Sequence, residues 1–184
     1  MVSLEEKIIK LSKIKLFFAI SASLLFVILG LWLVLIDSET IESFRRYNYP
    51  LVVHGVGIVL VLFFSFTGIM TLKKIFDQKP GLIFNSMGII DNSSGISDNL
   101  LIPWSDISGI NVYHGAQKQK FLVVLLKNPD KYIEMGNALR RTLKRTNYEK
   151  SGSPVAIVSN SLKISFDELV ELGNEYFAKY GNNT

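Results

Sequence analysis

Two long apolar runs dominate the first half of the chain, and short apolar runs between turn residues fill the second. Residues 16–36 (LFFAISASLLFVILGLWLVLI) and 51–72 (LVVHGVGIVLVLFFSFTGIMTL) contain no Asp, Glu, Lys or Arg. A helix rises about 1.5 Å per residue, so roughly 20 apolar residues cross a hydrocarbon core of about 30 Å. The pattern therefore predicts two transmembrane helices. The first run holds fifteen Leu, Ile, Phe and Val and the second fourteen, each contributing roughly −0.3 to −0.6 kcal/mol near a helix centre. A cleaved signal peptide ends its apolar region after roughly 7–15 residues at a small-residue site. The first run instead continues past Trp32 into Asp37, Ser38 and Glu39, and so reads as an uncleaved signal anchor.

From residue 81 the period changes. LIF (82–84), GII (88–90), LLI (100–102), ISGINVY (107–113), FLVVLL (121–126) and VAIV (155–158) are strand-sized, and NSM, DNSSG, HGAQKQ and EKSGSP between them are turn-like. Two segments depart from that pattern. In 137–148, NALRRTLKRTNY, Leu139 and Leu143 stand four apart among basic residues, which predicts a short helix. In SFDELVELGNEYFAKYG, Ser165 lies three residues before Glu168, the spacing of a capping box, and Leu169, Leu172, Tyr176, Phe177 and Tyr180 share one face. Six or seven short strands closed by one amphipathic helix describe a small barrel or a two-sheet sandwich.

Charge orients these parts. The N-terminal arm has Lys7, Lys10, Lys13 and Lys15, and Lys73, Lys74 and Lys79 follow the second run, against only Arg45 and Arg46 in the connecting loop. By the excess of cations on cytoplasmic loops, both chain ends lie in the cytoplasm. The expected organisation is a basic cytoplasmic arm (1–15), a first span (16–36), a short extracytoplasmic loop (37–50), a second span (51–72), a linker (73–80) broken by Pro80 and Gly81, and a cytoplasmic domain (81–184). Composition agrees: 48% of residues are hydrophobic and the mean hydropathy is +0.29, above an ordinary soluble domain. This topology accounts for most of the formal charge of +4, so the charge does not point to nucleic acid. The chain has no Cys, hence no disulfide or thiolate chemistry.

The segments GLIFNSMGIIDNSSG, LIPWSDISGI and GSPVAIVSNSLKISFDELVEL together resemble bacterial two-pass membrane proteins whose cytoplasmic part is pleckstrin-homology-like (PH-like). PWSDI and the stretch from SP to ISFDEL carry most of the resemblance, which covers nearly the whole chain. It implies a seven-strand barrel capped by a C-terminal helix, in a family of undefined molecular role, with no catalytic residues to carry over.

Candidate chemistry is sparse. Pro103 cannot donate to a strand ladder and marks a strand end or edge. Trp104 buries a large ring with one N–H needing a partner, and Asp106 is expected to accept from backbone N–H groups of its own turn. These three read as a structural corner. Arg140, Arg141, Lys144, Arg145 and Lys150, offset only by Glu149, form the best candidate contact for anionic lipid or a partner. Around the first two expected strands the sequence LIFNSMGIIDNSSG has no Lys or Arg, so the phosphoinositide grip of eukaryotic PH domains is not carried over. His54 is a titratable residue inside a span. Ala19 and Ser23, with Gly55, Gly57 and Gly68, suit close helix packing within the hairpin or between copies of the chain.

No H-x-x-x-H or cysteine set for zinc, no G-x-S-x-G and no G-x-x-x-x-G-K-[ST] occurs. No enzyme, metal or cofactor is expected. The reading is an integral protein of the bacterial inner membrane whose tethered domain docks a protein partner or the anionic inner leaflet. The alternative is a membrane-resident immunity protein that blocks an incoming toxin through the loop and spans.

Overall fold

The computed structural model describes residues 6–44, 49–77, 79–93 and 100–181. Arg45, Arg46, the start of the basic arm (1–5) and the expected turn residues Ser94 and Gly95 lie outside them. The chain divides into two compact units, Lys13–Gln78 and the combination of Met1–Ser12 with Lys79–Thr184.

The first unit is a helical hairpin. Helix α1 (Lys13–Leu35) and helix α3 (Pro50–Phe76) are joined through a short helix, α2 (Ser38–Phe44). Both long helices have the length and apolar composition to cross a membrane. Only 11% and 6% of their most apolar windows are buried within the protein, so neither is the core helix of a globular domain. They run antiparallel with backbones in close approach. A Cβ on Gly30 would lie 2.9 Å from the Gly57 carbonyl oxygen, and one on Gly57 would lie 2.8 Å from that of Gly30. Further along, Ser23 faces Gly68, and Phe26 stacks on Phe64 with ring centroids 4.4 Å apart.

The small-residue expectation is therefore met selectively. Gly57, Gly68 and Ser23 lie in the seam, joined by Gly30, whereas Gly55 has open space where its Cβ would be. At the α2 end, His54 Nδ1 lies 3.0 Å from the Leu33 carbonyl oxygen. A carbonyl only accepts, so this nitrogen carries the hydrogen. Leu33 is in the last turn of α1, where carbonyls lack partners within the helix, and His54 supplies one from the neighbouring helix.

The second unit is built on two antiparallel sheets. Strands β1 (Lys7–Ile9), β2 (Leu82–Phe84), β3 (Gly88–Asp91) and β4 (Leu101–Pro103) pair in that order. Strands β5 (Ile107–His114), β6 (Lys120–Leu126) and β7 (Ala156–Ile157) form the second sheet, with an irregularity between Ile107 and Gly109. Two short helices, α4 (Pro129–Ile133) and α5 (Ala138–Ser151), connect β6 to β7. Helix α6 (Phe166–Tyr176) closes the unit and runs on as a π-helical turn, Phe177–Gly181.

The largest difference from expectation lies at the N-terminus. The arm contributes β1, whose register with β2 is Lys7↔Phe84, Ile8↔Ile83 and Ile9↔Leu82. The arm then pairs with the segment that follows β7. Leu11 bridges Leu162, Ser12 N donates to Ser161 O at 2.7 Å, and Lys163 N donates to Lys10 O at 2.9 Å. The hairpin is thus inserted in the sequence between two neighbouring strands of one sheet.

The core is apolar and continuous through both sheets. Leu82, Phe84, Ile89, Leu122, Val123, Val124, Ile157, Leu162 and Leu169 are fully buried, each stabilising by roughly 1.5–3 kcal/mol of transfer free energy. Helix α6 enters through the expected capping box. The Ser165 hydroxyl accepts from Glu168 N at 3.3 Å, and Glu168 Oε2 accepts from Ser165 N at 2.9 Å. Leu169, Gly173 and Tyr176, at i, i+4 and i+7, then turn one face inward.

Gly57→Ala and Gly55→Ala gain the same helix propensity, so their difference isolates the seam. Gly57→Ala should lower resistance to unfolding in mixed detergent by about 1–3 kcal/mol relative to Gly55→Ala. Equal resistance would contradict close backbone contact.

Candidate functional site

The corner between the two sheets is the most densely connected set of expected residues. Pro103 ends β4, the edge strand, opposite Gly88. A Cβ on Gly88 would overlap the Ile102 carbonyl, so this approach admits only glycine. Asn85 shapes the turn before it, its Oδ1 accepting from Met87 N and Gly88 N at 3.0 Å each.

Trp104 opens a 3₁₀ turn (Trp104–Asp106) and is 2% exposed. Its Nε1 donates to Asn85 O at 2.8 Å. Its ring lies nearly parallel to those of Phe84, Tyr176 and Tyr180, with centroids 6.5, 6.3 and 6.4 Å away. This Trp is a packing centre joining β2 to the C-terminal helix. It is not a partner-facing residue.

Asp106 behaves differently from the sequence expectation. The turn closes itself by Ile107 N donating to Trp104 O, which leaves the carboxylate to reach α4. Asp106 Oδ2 accepts from Lys131 Nζ at 2.7 Å and from the Tyr132 hydroxyl at 2.6 Å. Lys131 and Tyr132 hold the Asp106 pKa below its ordinary value, outweighing the opposing effect of partial burial. Burial, then the facing carboxylate, pushes the Tyr132 phenol well above its usual range.

The basic cluster on α5 does not form a single cationic face. Lys144 is 7% exposed, and its Nζ donates to Tyr132 O and Met135 O at 3.0 Å each. It serves one carbonyl in the last turn of α4 and one just beyond it, where helices lack donors of their own. Arg141 Nη1 and Arg145 Nη2 flank Glu134, at 3.5 and 3.2 Å from its two carboxylate oxygens. Glu134, from outside the helix, therefore offsets the cluster together with Glu149. Arg140 is half-buried and Lys150 is exposed. Leu139, 62% exposed, and Leu143 face outward. A cleft of about 560 Å³ lies over Arg141, Arg145 and Glu134, where the one carboxylate offsets one of the two cations.

A second cleft, of about 470 Å³, includes two lysines, Lys7 and Lys10, that entered the sequence analysis only through the charge asymmetry. Lys7 and Lys10 flank Ile8 on and just after β1, while Lys163, Ile164 and Leu172 face them from the approach to α6 and from α6 itself. The one acidic lining residue, Glu168, is engaged by the Ser165 amide and hydroxyl, at 2.9 and 2.7 Å. These bonds lower its pKa, with a smaller contribution from Lys7. Neighbouring Asp167 is 3.7 Å from Lys120. Among the described residues, Lys7, Lys10 and Lys163 make no ion pair. The available signal was the order K-I-I-K at 7–10, an apolar pair between lysines; finding it required treating the arm as a strand.

Comparison with protein-family models, with curated proteins and with solved structures finds no match to this chain, so no residue role comes from a relative.

The Asp106 clamp has a pH signature. Because its folded pKa is depressed, its stabilisation is fully present above the ordinary value of 3.8 and is lost as pH falls from there through the folded value. Tyr132, raised in the fold, adds stability below pH 10.0 that is lost at higher pH. Asp106→Asn should cost about 2 kcal/mol at neutral pH and flatten the acid limb of a melting-temperature profile read by tryptophan fluorescence. Tyr132→Phe should flatten the alkaline limb. An unchanged acid limb in Asp106→Asn would rule the clamp out as its cause.

Proposed function

We propose that this chain is a non-enzymatic, two-span protein of the bacterial cytoplasmic membrane. Its PH-like domain is held at the cytoplasmic face and docks a protein partner or the anionic inner leaflet. The observation that carries this reading is the pairing of β1, before α1, with β2, after α3. Strands in one sheet share one side of a membrane, and a chain that crosses twice returns to the side it left. The lysines at 7, 10, 13, 15, 73, 74 and 79 support the cytoplasm as that side.

The strand order supports the PH-like reading. Four strands pair in sequence, three more pair in sequence, and a C-terminal helix lays Leu169 and Tyr176 into the core. The bridge between Leu11 and Leu162 links the start of the first sheet to the segment after the second, as closure of a barrel requires. Docking is favoured because an anchor confines the domain to a surface, and weak contacts there gain from raised effective concentration.

A C-terminal fusion to a reporter that fluoresces only in the cytoplasm should be bright, and one active only outside should be silent; the reverse pattern overturns the reading. In intact membranes, photocrosslinkers on the domain surface should capture a protein or lipid in a way that deletion of residues 80–184 abolishes. Capture that persists through the hairpin alone would assign the contact to the spans.

A further inference from the structure

We infer that the cleft between β1 and the start of α6 is the domain's binding site for the headgroup of an anionic phospholipid, with Lys7, Lys10 and Lys163 as its phosphate contacts. The inference rests on the membrane-docking reading above and commits it to a lipid and to one site.

Three observations lead there. The cleft is amphiphilic: Ile8, 49% exposed on a strand whose neighbour Ile9 is buried, joins Ile164 and Leu172 as an apolar wall under a cationic rim. That combination suits a molecule with a negative head and an apolar body, and suits a free inorganic anion less. The rim charge is also available. Its three ammonium groups make no ion pair among the described residues, and against them the cleft sets a single carboxylate, Glu168, which is hydrogen-bonded into the α6 cap and interacts electrostatically with Lys7, so two positive charges remain in excess. In the Arg141–Arg145 cleft the one carboxylate, Glu134, pairs directly with both cations and leaves a single charge in excess.

Chain reach supplies the third observation. Helix α1 begins at Lys13, and its uncharged run begins at Leu16. At about 1.5 Å per residue, Lys13 stands about 4.5 Å below the hydrocarbon boundary, within a headgroup layer roughly 5–7 Å thick. Three Cα steps of about 3.8 Å then keep Lys10 at most about 11 Å from Lys13, an upper bound against a Debye length of about 8 Å at physiological salt. Lys163 follows Lys10 because Lys163 N donates to Lys10 O at 2.9 Å. Lys10 and its neighbour Lys163 are therefore tethered near the anionic headgroups, the condition under which a cation gains appreciably from the surface potential.

The test uses the full chain in nanodiscs of phosphatidylcholine with a rising fraction of phosphatidylglycerol. Amide hydrogen exchange is followed across the peptides that contain residues 7–10 and 163–172, and tryptophan fluorescence in a Trp32→Phe background, which leaves Trp104 as the one emitter, checks the fold of each variant. Protection of both peptides should grow with phosphatidylglycerol and disappear near 1 M salt, where the Debye length is about 3 Å. Each Lys→Gln change at 7, 10 or 163 should raise the fraction needed for half-maximal protection about fivefold. Equal protection by inorganic phosphate in pure phosphatidylcholine discs would overturn the lipid assignment. Loss of protection in Arg141→Gln/Arg145→Gln, with none in the lysine variants, would move the site to α5; leaflet docking would then stand while this inference failed. No response to phosphatidylglycerol anywhere in the domain would remove the inference and the lipid form of docking together, leaving the protein-partner form.

Discussion

The hydrogen-bonded pairing of β1 with β2 joins strands that the entire helical hairpin separates in the sequence. Such a pairing closes a long loop, and the entropic cost of closure grows only slowly with loop length. A hairpin that returns its two ends to the same side reduces that cost further. The backbone contact of Gly30 with Gly57 and the hydrogen bond from His54 to Leu33 O hold α1 and α3 antiparallel. The sheet unit in turn holds the arm along its length, against β2 at Lys7–Ile9 and against the segment after β7 at Leu11 and Ser12. Each unit thus helps bring together the two chain ends that the other needs.

The aromatic corner organises the rest of the sheet unit. Trp104 touches the strand side through Phe84 and Asn85 O and the helix side through Tyr176 and Tyr180. Asp106, two residues on, reaches out to Lys131 and Tyr132 on α4. One short stretch therefore ties β4, β5, α4 and α6 together. Its polar atoms are used within the protein, which leaves the functional surface to be sought elsewhere.

Much of the fold was legible in the sequence wherever a strong local signal existed. Two charge-free runs longer than 20 residues have few alternatives, and Ser165 with Glu168 announced the start of α6. Strands β2, β3, β5 and β6 lie where short apolar runs alternate with turn residues. What was not legible depended on long-range partners. β1 has three residues, and its flanking lysines read as a basic arm; only Leu82–Phe84 makes it a strand. On α5 the leucine spacing predicted the helix and Lys144 was counted among its contact cations, yet Lys144 points inward because the carbonyls of Tyr132 and Met135 lie there. Glu134 pairs with both Arg141 and Arg145 from outside α5 and offsets one of their two charges, which helical spacing within α5 does not reveal. The lysine cleft stayed hidden for the same reason, since it exists only once β1 is placed beside the approach to α6.

The pairing of β1 with β2 is open to a direct chemical measurement, because the chain has no cysteine of its own. Ile8 is the cross-strand partner of Ile83, and Ile90 lies one strand further on. Paired residues have Cα atoms about 4.5–5.5 Å apart, within disulfide range, whereas two strand spacings exceed 9 Å, beyond the limit of about 7 Å. In native membranes, mild oxidation of the Ile8→Cys/Ile83→Cys chain should yield an intramolecular disulfide, detected as a linked peptide by mass spectrometry, while Ile8→Cys/Ile90→Cys should yield none. Absence of the 8–83 link, or equal linkage in both chains, would contradict a sheet that begins before the hairpin and resumes after it.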